Sequence, residues 1–128
     1  MLLSTVLLST ILSCNKLDAP QQFIAGNWGL IMTELFEGTN LKGELRAETD
    51  ITTYYQFSPW DELNSNGSVK INDEGESEVL SYEFNSEALE LKIGELATYK
   101  IEELSEQTLV LSRKYNDYLS RYRFIKVD

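Results

Sequence analysis

The sequence predicts an all-β protein, an antiparallel up-and-down barrel of eight strands that follows an N-terminal segment outside the barrel. From Phe23 onward, apolar and polar residues alternate with a period of two, which is typical of strands with one buried face. Turn signals separate the alternating stretches, so strands that are neighbours in sequence can pair antiparallel. Eight strands favour a barrel over the alternative of a two-layer sandwich, because a closed barrel has no exposed edges.

The alternation and the β-branched or aromatic content predict the strands in order. They are Trp28–Phe36, Ile51–Phe57, Ser68–Asn72, Val79–Phe84, Ala88–Ile93, Ala97–Glu102, Thr108–Arg113 and Ser120–Val127. The turn signals are Asn66-Gly67, which favours a tight primed turn, then Asp73-Glu74-Gly75, Asn85-Ser86-Glu87, Gly94-Glu95 and Asn116-Asp117. Residues 38–50 fit either one or two helical turns or a ragged edge strand, and we interpret them as a crossover or lid.

Composition excludes the commonest catalytic and metal sites. The 128 residues include no histidine and one cysteine, Cys14. Imidazole bases, Cys–His dyads, Cys/His zinc sites and internal disulfides are therefore excluded. We expect no enzymatic activity, no catalytic residues, no metal site and no cofactor.

The charge is negative and unevenly distributed. The net charge is −10 at pH 7, and residues 61–106 hold thirteen acidic and three basic side chains. A field of this sign repels phosphate backbones, so nucleic acid is not expected as a partner. The densest acidic run, residues 73–78, lacks the spacing of a calcium-binding loop and is interpreted as a solvated hairpin.

The N-terminus predicts a lipid anchor. Residues 2–13 form an uncharged, mostly apolar run that is too short to span a bilayer as a helix. The run ends in Ile11-Leu12-Ser13-Cys14, which resembles the lipobox of bacterial lipoproteins, and the resemblance implies that Cys14 carries a diacylglyceryl group. We divide the chain into a signal peptide (1–13), a tether (14–22) and a barrel domain (23–128). The expected location is the cell envelope, at the outer membrane, on either its periplasmic or its surface face.

A second resemblance covers most of the barrel domain. The first strand opens with Gly26-Asn27-Trp28, an aromatic strand Tyr54-Tyr55-Gln56-Phe57 precedes Asn66-Gly67, and the last strand contains Arg121-Tyr122-Arg123-Phe124. This pattern resembles the lipocalin superfamily, and more narrowly the small lipocalin-like lipoproteins of Bacteroidota. The resemblance implies that Trp28, two residues after Gly26, closes the barrel floor and that Arg121 or Arg123 packs across its ring. The alternative is that Trp28 is only a large core side chain.

Alternation also predicts which residues face the barrel interior. The predicted inward set is Tyr82, Phe84, Leu89, Leu91, Ile93, Tyr99, Ile101, Leu109, Leu111, Tyr122 and Phe124. Apolar surroundings with a few hydroxyls suit an amphipathic ligand. The candidate ligand-binding residues are Tyr55, Tyr82, Tyr99, Tyr122 and Trp60. The alternative is that the tyrosines, including Tyr54, fill the barrel or cover its ends.

Trp60 lies in a connection that is longer than its neighbours, beside Asp61 and Glu62. Long loops at barrel ends often carry function, so Trp60 is a candidate to gate the pocket or contact a partner. The alternative is that it plugs the barrel end. Adjacent carboxylates tend to point apart, so Asp61 and Glu62 do not define a glycosidase site.

We therefore expect a membrane-anchored, non-catalytic lipocalin-like lipoprotein that binds or shields a small apolar or amphipathic ligand at the cell envelope. The alternative is a filled barrel that acts as an interaction module, such as an inhibitor of an envelope protein or an accessory subunit of an outer-membrane assembly. The first function requires a cavity lined by the tyrosines. The second requires an exposed patch near Trp60 or the acidic hairpin.

Overall fold

The computed structural model describes residues 23–47, 50–61, 63–95 and 97–127. The predicted signal peptide, the tether and Cys14 lie outside these residues. The strands are β1 (Gly26–Glu37), β2 (Asn40–Arg46), β3 (Thr53–Phe57), β4 (Gly67–Asp73), β5 (Glu76–Asn85), β6 (Glu90–Ile93), β7 (Ala97–Leu104), β8 (Thr108–Tyr115) and β9 (Tyr118–Val127). Within the described ranges, no helix has the length and apolar character needed to cross a bilayer.

The long first strand closes the sheet into a barrel. Along one edge, β1 pairs antiparallel with β9, from Asn27↔Val127 to Glu37↔Tyr118. Along its other edge, β1 pairs first with β3 and then with β2. The strands from β3 to β9 pair antiparallel in sequence order. The prediction of a closed, eight-stranded up-and-down barrel is therefore confirmed.

Each of the eight predicted strands corresponds to an observed strand, and β2 is added within residues 38–50. The interpretation of this segment as a crossover or lid is wrong, and the edge-strand alternative is correct. Six of the seven β2 residues are exposed, because among the described strands β2 pairs only with β1. Such a strand has no consistently buried face, so alternation could not identify it.

The turn that follows β4 forms where the sequence predicts it, whereas the turn predicted just before β4 does not form. Between β4 and β5, Glu74 and Gly75 both have positive φ, 52° and 91°, as in a tight primed turn. The primed turn predicted at Asn66-Gly67 is wrong. The chain instead reverses between Asp61 and Asn66, which form a β-bridge. The Asp61 carboxylate organises this longer loop by accepting hydrogen bonds from the Asn64 backbone N–H at 3.2 Å and side-chain amide at 2.7 Å.

Trp28 is fully buried at the barrel end where the chain enters β1. Its indole Nε1 donates a hydrogen bond to the Ile24 carbonyl at 2.8 Å, which holds the short helical turn at residues 23–24 against the end of the barrel. Lys126, directly opposite Trp28 in the β1–β9 register, places its Nζ 4.6 Å from the indole centroid. Gly26, with φ +123°, has no side chain to obstruct Lys126.

The predicted arginine partner of Trp28 is therefore wrong, because Lys126 takes that position. The Arg121 guanidinium lies 5.0 Å from the ring centroid of Phe36. Arg123 donates to the Glu34 carboxylate at 3.2 Å. The register between β1 and β9 places Lys126 opposite Trp28. Sequence alone does not give this register.

The inward set agrees with the structure except at one position. The buried members are Tyr82, Phe84, Leu91, Ile93, Ile101, Leu109, Leu111 and Phe124. Tyr99 and Tyr122 are partly buried and pack against this core. Leu89 is 42% exposed, because it lies in the β5–β6 connection with a left-handed backbone (φ 53°) and does not belong to a strand.

We predict that Gly67→Ala destabilises the barrel by about 1–3 kcal/mol, as expected for overpacking of a filled site. A methyl group at position 67 would overlap the Tyr82 ring, which is 1% exposed and held by a hydrogen bond from its hydroxyl to the Ser58 carbonyl. Gly43→Ala is the matched control, because open space surrounds a Cβ there. Urea denaturation measures both changes, and equal stabilities for the two variants would contradict the packing described here.

Candidate functional site

Three tyrosines from separate strands meet on the inner face of the barrel. Tyr55 lies on β3, Tyr99 on β7 and Tyr122 on β9. The rings of Tyr99 and Tyr122 are 5.9 Å apart and nearly perpendicular. Tyr55 packs against Phe124, with ring centroids 5.0 Å apart, and interacts electrostatically with both other phenols. We refer to Tyr55, Tyr99 and Tyr122 as the tyrosine cluster.

Tyr55 and Tyr99 of the cluster remain protonated at neutral pH. Burial raises the pKa of the Tyr55 hydroxyl well above its usual range, and the neighbouring phenols and Asp73 raise it further. Burial also raises the pKa of Tyr99, although the positive charge of the Arg113 guanidinium opposes the increase. Protonated phenols both donate and accept hydrogen bonds, so the cluster can orient a polar group of a ligand.

A slit opens beside the tyrosine cluster where β1 changes its partner from β3 to β2. The slit encloses about 120 Å³. It is lined by Leu30, Ile31, Met32, Thr33, Leu45, Arg46, Ala47, Thr52 and Thr53. Thr33 is the register partner of Tyr122, and Thr53 precedes Tyr55 by two residues on β3. Thr33 and Thr53 therefore place the slit next to the cluster, although none of the three tyrosines lines it.

Tyr82 does not belong to the tyrosine cluster. Its hydroxyl donates a 2.6 Å hydrogen bond to the Ser58 carbonyl, and its ring contacts Phe57 edge-on with centroids 5.1 Å apart. Phe57 pairs with Gly26 at the start of β1, so this group lies toward the barrel floor. Burial raises the pKa of Tyr82 to about 12. These contacts make Tyr82 a packing residue of the floor.

Trp60 packs over the same floor group. Its ring centroid lies 5.5 Å from that of Tyr82, and the side chain is partly buried against the core. This position fits the alternative that Trp60 plugs the end of the barrel. The Asn64 side-chain amide lowers the pKa of the adjacent Asp61, and Glu62 lies outside the described residues.

Two further depressions lie on polar surfaces that sequence analysis did not single out. One, of about 350 Å³, is lined by Asn27, Tyr54, Gln56, Lys70, Asn72 and Val127. The other, of about 550 Å³, lies between the β1–β2 and β8–β9 hairpins. The backbone N–H of Gly38 joins these hairpins by donating to the Asp117 carbonyl at 3.2 Å. Polar residues are common on outward strand faces, so their types alone did not mark either depression.

The acidic side chains are arranged as a solvated surface. Residues 73–78 form the tip of the β4–β5 hairpin and are exposed. Asp73 accepts a 2.8 Å hydrogen bond from the Thr53 hydroxyl. Among the residues that the structure describes, no group of three or more acidic, histidine or cysteine side chains is arranged to hold a metal ion.

We predict that the free energy of unfolding falls as the pH rises from 10 to 12, and that Tyr82→Phe makes the fall shallower. The pKa of Tyr82 is raised from 10.0 to about 12 in the fold, so above pH 10 the unfolded chain releases a proton that the folded chain retains. The wild type should lose up to about 1.4 kcal/mol per pH unit from this one proton. Urea denaturation at several pH values measures the slope. Identical slopes for wild type and Tyr82→Phe would contradict the predicted burial.

Comparisons with known proteins find similarity to solved structures. No family profile matches the chain, and no curated protein matches it. Among solved structures, the chain is similar to a lipocalin-like protein from Bacteroides uniformis, with 16% sequence identity and a TM-score of 0.43. The match covers 77% of this chain and 96% of that chain. The strand pairings of this chain establish by themselves the closed, eight-stranded up-and-down architecture that lipocalins share.

Proposed function

We propose that this protein is a lipid-anchored, non-catalytic binding protein of the bacterial cell envelope that holds a small amphipathic ligand beside the tyrosine cluster. One observation carries the proposal. Three phenols from strands far apart in sequence converge above an apolar core. Eight-stranded barrels either fill with side chains or hold one small ligand, and a few converging polar groups at the top of an apolar interior suit the second use.

The chemistry of the site favours a ligand with two different ends. Below the cluster, Phe124 and the other core residues offer only apolar surface. At the level of the cluster, Arg113 is close enough to Tyr99, and Asp73 to Tyr55, to influence the titration of these phenols. An apolar group would contact Phe124, and a hydrogen-bonding head group would face the phenols. A ligand that enters through the slit of about 120 Å³ beside the cluster would have to be small or displace side chains.

The titration behaviour argues against general-base catalysis at this site. A general base works best when its pKa lies near the working pH. The pKa values of Tyr55 and Tyr99 are displaced upward, away from neutrality, so neither phenol can act as a base at pH 7. Their protonated state serves hydrogen bonding to a ligand instead.

The predicted lipid anchor implies an orientation of the barrel relative to the membrane. The described chain starts at Phe23, at the floor end beneath Trp28. If Cys14 carries lipid, the eight residues 15–22 reach at most about 26–29 Å when fully extended. The floor would then face the membrane, and the slit would open farther from it.

We predict that Tyr55→Phe and Tyr99→Phe each weaken binding of 2-naphthol, a small fluorescent amphipathic probe, by about two- to tenfold, the effect of one lost hydrogen bond. Tyr54→Phe is the matched control, because Tyr54 neighbours Tyr55 on β3 but lines the outer depression. Fluorescence titration of the full-length chain in detergent measures the affinities. If the probe does not bind, or if all three variants bind equally, the filled-barrel interaction module replaces the ligand-binding proposal.

We predict that the full-length chain expressed in a bacterium incorporates labelled fatty acid and that Cys14→Ala abolishes the incorporation. The thiol at position 14 is the only one in the chain, so it is the only site for a thioether-linked diacylglyceryl group. Autoradiography of the purified protein measures the label. Equal labelling of the wild type and Cys14→Ala would refute the anchor and leave the ligand-binding proposal intact.

A further inference from the structure

We propose that the outer wall of the barrel binds a saccharide that carries a carboxylate, in the outer depression of about 350 Å³. The depression is lined by Asn27, Tyr54, Gln56, Lys70, Asn72 and Val127. Successive residues of a strand point to opposite faces of the sheet, so Tyr54 lies outside the barrel and its neighbour Tyr55 inside. The proposed saccharide site is therefore independent of the ligand proposed for the tyrosine cluster.

The strand register assembles the outer depression from four strands, β9, β1, β3 and β4. The pairs are Asn27↔Val127, Asn27↔Gln56, Gln56↔Lys70 and Tyr54↔Asn72. Side chains that face each other directly across antiparallel strands have Cβ atoms about 4.5–5.5 Å apart. Polar groups from distant parts of the sequence therefore share one surface that a short oligosaccharide can cover.

Three side-chain amides of the outer depression are available to a ligand. Within the part of the chain that the structure describes, the side chains of Asn27, Gln56 and Asn72 form no hydrogen bond. By contrast, the side chains of Asn64 and Asn85 take part in the hydrogen bonds of turns. An amide both donates and accepts hydrogen bonds, as every sugar hydroxyl does. Three such amides side by side suit a molecule that is rich in hydroxyls.

Tyr54 and Val127 supply apolar surface to the same site. Both side chains are half-buried in the barrel wall, whereas Gln56 and Lys70 between the strands are exposed. A phenol combines an apolar ring with a polar hydroxyl, so the C–H face of a sugar can stack on Tyr54 while its hydroxyls face the amides. Ligand sites combine apolar surface with a few polar groups that fix orientation in this way.

Lys70 is the one charged side chain among the residues that line the depression, and it favours an anionic sugar. Its register partners are Gln56 on β3 and Val79 on β5, neither of which carries a carboxylate. In the described ranges, no ion pair includes Lys70. The chain as a whole has a net charge of −10, so an ammonium group without a carboxylate partner is a local site for an anion. A sugar carboxylate would pair with the Lys70 Nζ.

An NMR titration of the full-length chain in detergent tests the site. The acidic probes are trigalacturonic acid, a hyaluronan tetrasaccharide and sialyllactose at millimolar concentration, and maltotriose is the neutral comparison. We expect an acidic probe to shift the side-chain amide signals of Asn27, Gln56 and Asn72, and to leave those of Asn64 and Asn85 in place. The proposal is overturned if none of the acidic probes shifts the three amides, or if maltotriose binds as tightly as they do.

A pair of lysine variants tests the role of the charge. Lys70→Gln should weaken binding of the acidic probe about two- to fivefold, the effect of losing one exposed charge pair. Lys100→Gln is the matched control, because it removes the same charge from an exposed position of β7 outside the depression. Equal losses of affinity in the two variants would show a general effect of net charge and contradict the site. Circular dichroism confirms that both variants retain their strands.

Discussion

The backbone pairing between β1 and β9 joins the two ends of the sheet, and the other features of the molecule depend on it. Ten residue pairs run along this seam, from Asn27↔Val127 to Glu37↔Tyr118. At its lower end, the seam places Lys126 over Trp28, whose indole also holds the turn that covers the floor. Near its middle, it joins Thr33 to Tyr122 and so positions one wall of the tyrosine cluster. Without closure, β1 and β9 would both be exposed edges.

An irregularity between Leu30 and Met32 decides which side chains face inward along β1. Before the irregularity, Trp28 and Leu30 of β1 contact the core. After it, Glu34 and Phe36 contact arginines of β9. The bulge therefore reverses the alternation, so that even-numbered residues of β1 face inward before it and outward after it. On the outer surface, Arg121 also pairs with Glu102 at 3.1 Å. The two arginines of β9 thus link its outer face to β1 and β7.

Alternation predicted the eight barrel strands and most inward residues, because burial of one face leaves a period of two. It could not identify β2, which has no buried face, or the Asp61–Asn66 loop, which is organised by one carboxylate. For the candidate site, alternation placed Tyr99 and Tyr122 on one face but could not separate them from Tyr82. That separation depends on strand register and tilt, which pair Tyr82 with Gly67 near the floor. Register also determined that a lysine, and not an arginine, covers Trp28.

Closure is the claim on which the tyrosine cluster and the floor both rest. Nuclear Overhauser effects across the seam test it directly, because the α-protons of a non-hydrogen-bonded antiparallel pair lie close together. The register predicts a strong effect between the α-protons of Thr33 and Tyr122, together with slow amide exchange along both β1 and β9. Absence of that effect, with rapid exchange along the outer edge of β9, would show an open sheet and contradict the account.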